Sequence, residues 1–223
     1  MTEARGGVDP HRLVSAVGHE LRTPLTVLRG VATLLVQAPE QLEPARIQEL
    51  LRLVDQQVEA MSDRIEDMLA ISALDSGRLQ VSMDVFQVDE VFSEVQDWAA
   101  LLEEGARVAV RGAPGVAVEG DRERAVQALR ALLQNAFRHV PGDSPIEVVA
   151  EPDDWSVRIE VLDRGPGLPT GLDPFEPFAG EGGGSGLGLY LVAGLARAMG
   201  GDAAAVTRPG GGSAVSFTLR RRG

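Results

Sequence analysis

From about residue 10 to about residue 74, apolar side chains recur every three or four positions; beyond Asp75-Ser76-Gly77 they alternate instead. This change of period constrains the fold most. A 3.6-residue repeat buries one stripe of a helix, whereas a two-residue repeat buries one face of a strand. Leu13, Val14, Val17, Leu21, Leu25, Leu28, Val31, Leu34 and Leu35 mark a first helix over 10–37. The run from Ala38 to Pro44 interrupts it with two prolines. Ile47, Leu50, Leu51, Val54, Val58, Met61, Ile65, Met68 and Leu69 carry a second helix from Ala45 to about Leu74. Two helices on a short loop make a hairpin whose stripes are half uncovered. A second copy can cover them by completing a four-helix bundle, or the hairpin can pack as a monomer on the rest of the chain. The length and continuity of both stripes favour the dimer.

Past Gly77, alternation predicts strands at Leu79–Met83, Arg107–Arg111, Val116–Glu119, Ile146–Glu151, Ser156–Leu162, Ala203–Thr207 and Ala214–Leu219. Helical patterns fall at Val88–Glu104, Arg122–His139 and Leu187–Met199, with Asp121 placed to cap the second. The order predicts an α+β chain: a helical hairpin over residues 1–76, then an α/β sandwich over 77–223 with one mixed sheet and helices on one face.

Charge and composition exclude several functions. The net charge is −12, with five of the negative charges before Gly77 and seven after it, so neither part has the basic excess that nonspecific nucleic-acid binding needs. All 21 basic residues are Arg, so any phosphate contact by a basic side chain must come from a guanidinium. There is no Cys, which excludes disulfides and thiolate chemistry. No run of eighteen apolar residues and no signal-peptide core is present, so the expectation is a soluble chain, or the cytoplasmic portion of a membrane-bound protein.

Four stretches carry chemistry. In Gly18-His19-Glu20-Leu21-Arg22-Thr23-Pro24, His19 and Thr23 share a helix face and Glu20 lies beside the imidazole. The carboxylate can hold one ring nitrogen and its proton, leaving the other free to attack. Pro24 cannot donate to the Glu20 carbonyl and is expected to bend the helix. Asp163-Arg164-Gly165-Pro166-Gly167 follows an apolar strand, where an Asp can accept from an exocyclic amine. Gly182-Gly183-Gly184-Ser185-Gly186-Leu187-Gly188 runs into an apolar helix, whose first N–H groups suit an anion. On the helix upstream, Asn135 and Arg138 are three apart; an amide oxygen can ligate Mg²⁺ and a guanidinium can hold phosphate.

Taken together, these motifs resemble the sensor histidine kinases of two-component signalling, over essentially the whole chain. The His-Glu-Leu-Arg-Thr-Pro run looks like the H box, Leu132–Pro141 the N box and Val161–Pro169 the G1 box. Phe175-Glu176-Pro177-Phe178 looks like the F box and Gly184–Leu189 the G2 box. The resemblance implies a bacterial, cytoplasmic, homodimeric protein-histidine kinase with a GHKL (Bergerat) ATP-binding domain, using ATP and Mg²⁺. It implies that His19 takes the γ-phosphoryl group, that Glu20 is its general base, and that the group passes to an Asp of a response-regulator receiver domain. Thr23 is implied to orient a water that dephosphorylates the regulator. Asn135 is implied to ligate Mg²⁺, Arg138 to contact phosphate and His139 to lie against the nucleotide. Asp163 is implied to read the adenine amino group, with Gly165 and Gly167 shaping that pocket. Gly184, Ser185, Gly186, Leu187 and Gly188 are implied to line the phosphates, and residues 168–183 to form a lid. The turn Gly210-Gly211-Gly212-Ser213 is expected to serve the sheet rather than chemistry. The chain departs from the family pattern at Gly18, where Ser or Asp is common, and at Ala131, where a second Asn is common. Two other readings stand beside this one: a nucleotide-responsive scaffold without useful chemistry, and a GHKL kinase acting on Ser, against which the first 76 residues argue.

Overall fold

The computed structural model describes residues 8–37, 42–140, 142, 144–179 and 185–222. The chain divides into two compact units, Met1–Asp75 and Ser76–Gly223.

The first unit is a pair of packed helices, α1 (Pro10–Gln37) and α2 (Pro44–Asp75). Pro24, Val31, Leu50, Met68, Ala70 and Ile71 are buried. The chain entering α1 is tied to the end of α2, because the Val8 N–H donates to Asp75 Oδ1 at 2.9 Å. The helix runs on through Pro24, and across that proline the Thr26 hydroxyl donates to the Arg22 carbonyl at 2.8 Å. Such back-bonding inclines a helix to bend, and it adds to the loss of a donor at Pro24. Much of the predicted apolar pattern is not used within the chain. Val14, Leu25, Leu34, Leu51, Val58, Ile65 and Leu69 are exposed. Leu51, Val58 and Ile65 are seven residues apart, which places them on one line of α2.

The second unit runs β1 (Asp84–Gln87), α3 (Val88–Ala100), β2 (Val108–Arg111), β3 (Ala117–Gly120), α4 (Arg122–His139), β4 (Ile146–Pro152), β5 (Ser156–Leu162), α5 (Gly188–Ala198), β6 (Ala203–Thr207) and β7 (Ser213–Arg222). The strands form one sheet in the order β1-β3-β7-β5-β4-β2, with β6 also paired to β7. Among the described residues only β2 and β4 pair in parallel, and the other pairs are antiparallel. Register sorts the side chains by chemistry. Val157, Ile159 and Val161 lie opposite Leu219, Phe217 and Val215 and are buried under the helices, while Arg158 and Glu160 lie opposite Thr218 and Ser216 on the other face. Burying each of those large apolar side chains contributes about 1.5–3 kcal/mol, and this face is what fixes the register.

Three predicted elements differ by more than one residue; the last strand runs Ser213–Arg222 rather than Ala214–Leu219. Leu79–Met83 is not a strand; the first strand starts at Asp84. The Ser82 N–H donates to Asp121 Oδ2 at 2.9 Å, so a carboxylate takes the bond that a ladder would have needed. The same carboxylate caps α4 by accepting from the Arg124 N–H at 3.1 Å, as the sequence predicts. Helix α3 stops at Ala100 rather than Glu104, and a 3₁₀ turn over Glu103–Arg107 follows. Gly105 explains the stop: a Cβ there would lie 1.8 Å from the Ala99 carbonyl oxygen, so the turn folds back onto the helix end.

Candidate functional site

Strand β5 ends at Leu162 opposite Ala214 of β7, which brings Asp163 against Ser213. Asp163 is 7% exposed, and its surroundings hold it on all sides. Its N–H donates to the Ser213 carbonyl at 2.9 Å. Its Oδ1 accepts from the Gly165 N–H at 2.7 Å and from the Ser213 N–H at 3.1 Å, and its Oδ2 accepts from the Ser213 hydroxyl. A carboxylate offers about four acceptor positions. Among the described residues three are taken, and the one these leave on Oδ2 suits a single N–H donor. Ser213 is therefore part of the site. The Gly210–Ser213 turn thus contacts the carboxylate as well as serving the sheet, a link that the sequence reading did not make.

The loop after Asp163 lies against the end of α4. A Cβ at Gly165 would meet Val140 Cγ2 at 3.2 Å and the His139 carbonyl oxygen at 3.3 Å. Past the turn, the Leu168 N–H donates to Thr207 Oγ1 at 3.2 Å, and Gly167 lies under the same threonine. Asp163, Gly165, Gly167 and His139 thus come together. Burial holds the His139 imidazole below its ordinary pKa, and the Arg138 charge adds to this, while Asp163 opposes it. His139 is consequently biased towards the neutral form, able to stack or accept.

Asn135 and Arg138 lie on the same helix as His139, with Arg138 and His139 in its last turn. Asn135 is half-buried. Among the described residues there is no group of three His, Cys, Asp or Glu side chains able to hold a metal. A protein-caged cation does not fit this site, but Mg²⁺ fits, because it keeps several waters and takes one or two protein ligands beside phosphate oxygens. Ala131, buried one turn before Asn135, offers no second amide.

Helix α5 opens at Gly188 behind Leu187, and it packs on α4. Leu187 is 2% exposed, so its side chain belongs to the core and only its backbone can face a ligand. Gly186 has φ +67°, and a Cβ there would stand 2.8 Å from the Phe178 backbone. Close approach is what that glycine permits: the Phe178 N–H donates to the Gly186 carbonyl at 3.0 Å. The Phe175–Phe178 motif is thereby fastened to the loop that leads through Ser185 into α5. Phe178 is itself at φ +63°, the one non-glycine residue with positive φ among those described. Gly184 lies outside the described residues, as do Gly182 and Gly183.

In the first unit, His19 and Thr23 are exposed on α1, Glu20 is half-buried and Pro24 is buried. A Cβ at Gly18 would meet nothing within 4 Å. The His19 side chain therefore stands on an exposed stretch of α1, reachable by an incoming group.

Comparison with known proteins assigns both units. The family model of the His Kinase A (phospho-acceptor) domain matches residues 11–77, and that of the histidine kinase-, DNA gyrase B-, and HSP90-like ATPase matches residues 120–223. The signal transduction histidine-protein kinase AfsQ2 of Streptomyces coelicolor is 31% identical over 229 residues, covering 94% of this chain and 41% of that protein. The sensor protein KdpD of Clostridium acetobutylicum is 28% identical over 217 residues, covering 93% of this chain and 24% of that protein. The chain thus spans well under half the length of these relatives. Among solved structures, Acinetobacter baumannii histidine kinase AdeS matches with a TM-score of 0.64 at 26% identity, over 92% of this chain and 98% of that one. Full-length ShkA in complex with AMPPNP shares the fold, with a TM-score of 0.62 at 24% identity, over 96% of this chain and 47% of that one.

Proposed function

The chain belongs to the sensor histidine kinases, and from that premise we propose that it is an ATP-dependent kinase core that phosphorylates its own His19 and passes the group to a receiver-domain Asp. The observation that carries the nucleotide half is Asp163: a buried carboxylate, held by Gly165 and Ser213, with one acceptor position left. An adenine amino group supplies the matching donor. Gly165 and Gly167 give the base its room, while Ser185, Gly186, Leu187 and Gly188 present backbone N–H groups to phosphates at the start of α5.

The neutral His19 imidazole attacks the γ-phosphorus through one ring nitrogen. An N–P bond forms, the bond to the β,γ-bridging oxygen breaks, and ADP leaves. Glu20 takes the proton from the other ring nitrogen, so the ring does not remain cationic. Asn135 would hold Mg²⁺ and Arg138 the phosphate oxygens; the metal, when bound, neutralises charge on the phosphates. Phosphoryl transfer needs little more than such positioning and charge neutralisation. Thr23, one turn from His19, would orient a water for dephosphorylating the regulator. The exposed line Leu51, Val58, Ile65 supports a homodimer, since a four-helix bundle covers it. Among the described residues no helix is long and apolar enough to cross a membrane.

Asp163→Ala tests the nucleotide site. The expected result is loss of ADP binding with the helical unit intact by circular dichroism; unchanged affinity removes Asp163 from the site.

A further inference from the structure

Asp163 is held by its backbone as well as its carboxylate, and the second hold comes from a side chain that belongs to none of the five motifs. Arg208 opens the β6–β7 turn, with its N–H donating to the Gly212 carbonyl at 2.9 Å and its carbonyl accepting from the Gly211 N–H at 3.1 Å. Its Nη1 donates to the Asp163 carbonyl oxygen at 2.8 Å. Gly212, at φ +90°, lies so near the same oxygen that a Cβ there would stand 2.1 Å away. The turn also holds the far end of the loop, through Thr207 Oγ1 and the Leu168 N–H at 3.2 Å. On the polar face of β5, half-buried Glu160 interacts electrostatically with Arg208, Arg158 and Glu151. The guanidinium therefore has an acidic neighbour as well as its carbonyl acceptor.

These contacts fix a direction. With the Asp163 N–H bonded to Ser213 and its carbonyl bonded to Arg208, both peptide planes flanking its Cα are held, so the Cα–Cβ vector is held too. The carboxylate cannot swing with the loop. We propose that Arg208 is a positioning residue that sets the preference of this site for a 6-amino purine over a 6-oxo purine. The proposal rests on the reading of Asp163 as the contact to the base. A 6-amino group donates to the open position on Oδ2, whereas a 6-carbonyl sets oxygen against oxygen there. That repulsion discriminates only while the carboxylate is held. A loop free to tilt lets the carboxylate retreat, and the wrong base is then admitted.

The test is calorimetric titration of the full chain with ADP and with GDP. A charge-assisted bond of this kind, once lost, reduces the ADP-over-GDP preference about tenfold in Arg208→Ala, mainly by tightening GDP relative to ADP. Arg208→Lys restores most of the preference, because an ammonium still reaches a carbonyl. Equal weakening of both nucleotides, or an unchanged preference, overturns the proposal and leaves Arg208 a fold contact. Should Arg208→Ala fail to fold, Arg208→Gln is titrated in its place, with the same two outcomes. Asp163→Asn separates the two levels. A preference unaffected in that variant overturns the reading of the base contact, and this proposal with it. A preference lost in Asp163→Asn but kept in Arg208→Ala overturns the proposal alone.

Discussion

Replacing Ser213 with Ala removes one hydroxyl and leaves the backbone of β7 in place. The structure makes the consequence calculable. Ser213 and Asp163 are both under a tenth exposed, so the carboxylate loses one of its three donors with no ready access to solvent for replacement. A hydrogen bond to a charged group contributes about 1.5–3 kcal/mol. For a unit of this size, about 1 kcal/mol moves the melting temperature by roughly 2–4 °C. The second unit should therefore melt about 3–12 °C lower. The assay is direct, because the only tryptophans, Trp98 and Trp155, both lie in that unit and their fluorescence follows its unfolding alone. Affinity for ADP should fall about tenfold or less, since the Gly165 and Ser213 N–H groups still hold Oδ1. A melting temperature within about 1 °C of the parent, together with unchanged ADP affinity, would refute the assignment of Ser213 to the site.

Three further outcomes follow from named contacts. Gly18→Ala should stabilise α1 by about 0.5–1 kcal/mol, seen as a raised melting point of the helical signal, because a Cβ there meets nothing within 4 Å and glycine is entropically costly in a helix. His139 has its folded pKa held below the ordinary 6.5, so its contribution to stability is present above that value and is lost as pH falls through it towards the folded pKa. Between about pH 7.5 and about pH 5.5 the parent should lose more of its tryptophan-reported stability than His139→Gln. Val58→Asp puts a charge in the middle of the exposed α2 line, and sedimentation should show the dimer replaced by monomer with helicity retained.

Where the structure follows the sequence, a local signal and a packing demand agree. Helix α4 is Arg122–His139 as predicted, because Asp121 caps it and its buried residues recur with the helical period. Strand β5 is Ser156–Leu162 as predicted, because one set of alternate residues meets the helices and the other meets solvent. The segment Leu79–Met83 has the same alternation, but its partner is Asp121, 39 residues from Ser82, and no local pattern announces that bond. The same holds at the site. Asp163 and the glycines around it are legible because each is a turn or strand-end signal in its own few residues. Ser213 and Arg208 are not, since they lie 50 and 45 residues from Asp163 and are brought to it by the β5–β7 register. A serine that opens a strand paired with the strand ending just before Asp163 is the signal that finds it, and reading it requires the pairing first.

The most direct measurement is incubation of the chain with γ-labelled ATP and Mg²⁺, followed by acid and base treatment and mapping of the labelled residue. Base stability excludes acyl phosphates on Asp and Glu, and with no Lys in the chain a base-stable, acid-labile label points to one of the three histidines, so mapping is essential and His19→Gln is run alongside. Base-stable, acid-labile phosphate is expected on His19 and none in His19→Gln. Label retained in that variant, or mapped to a hydroxyl side chain or to one of the arginines, would contradict this.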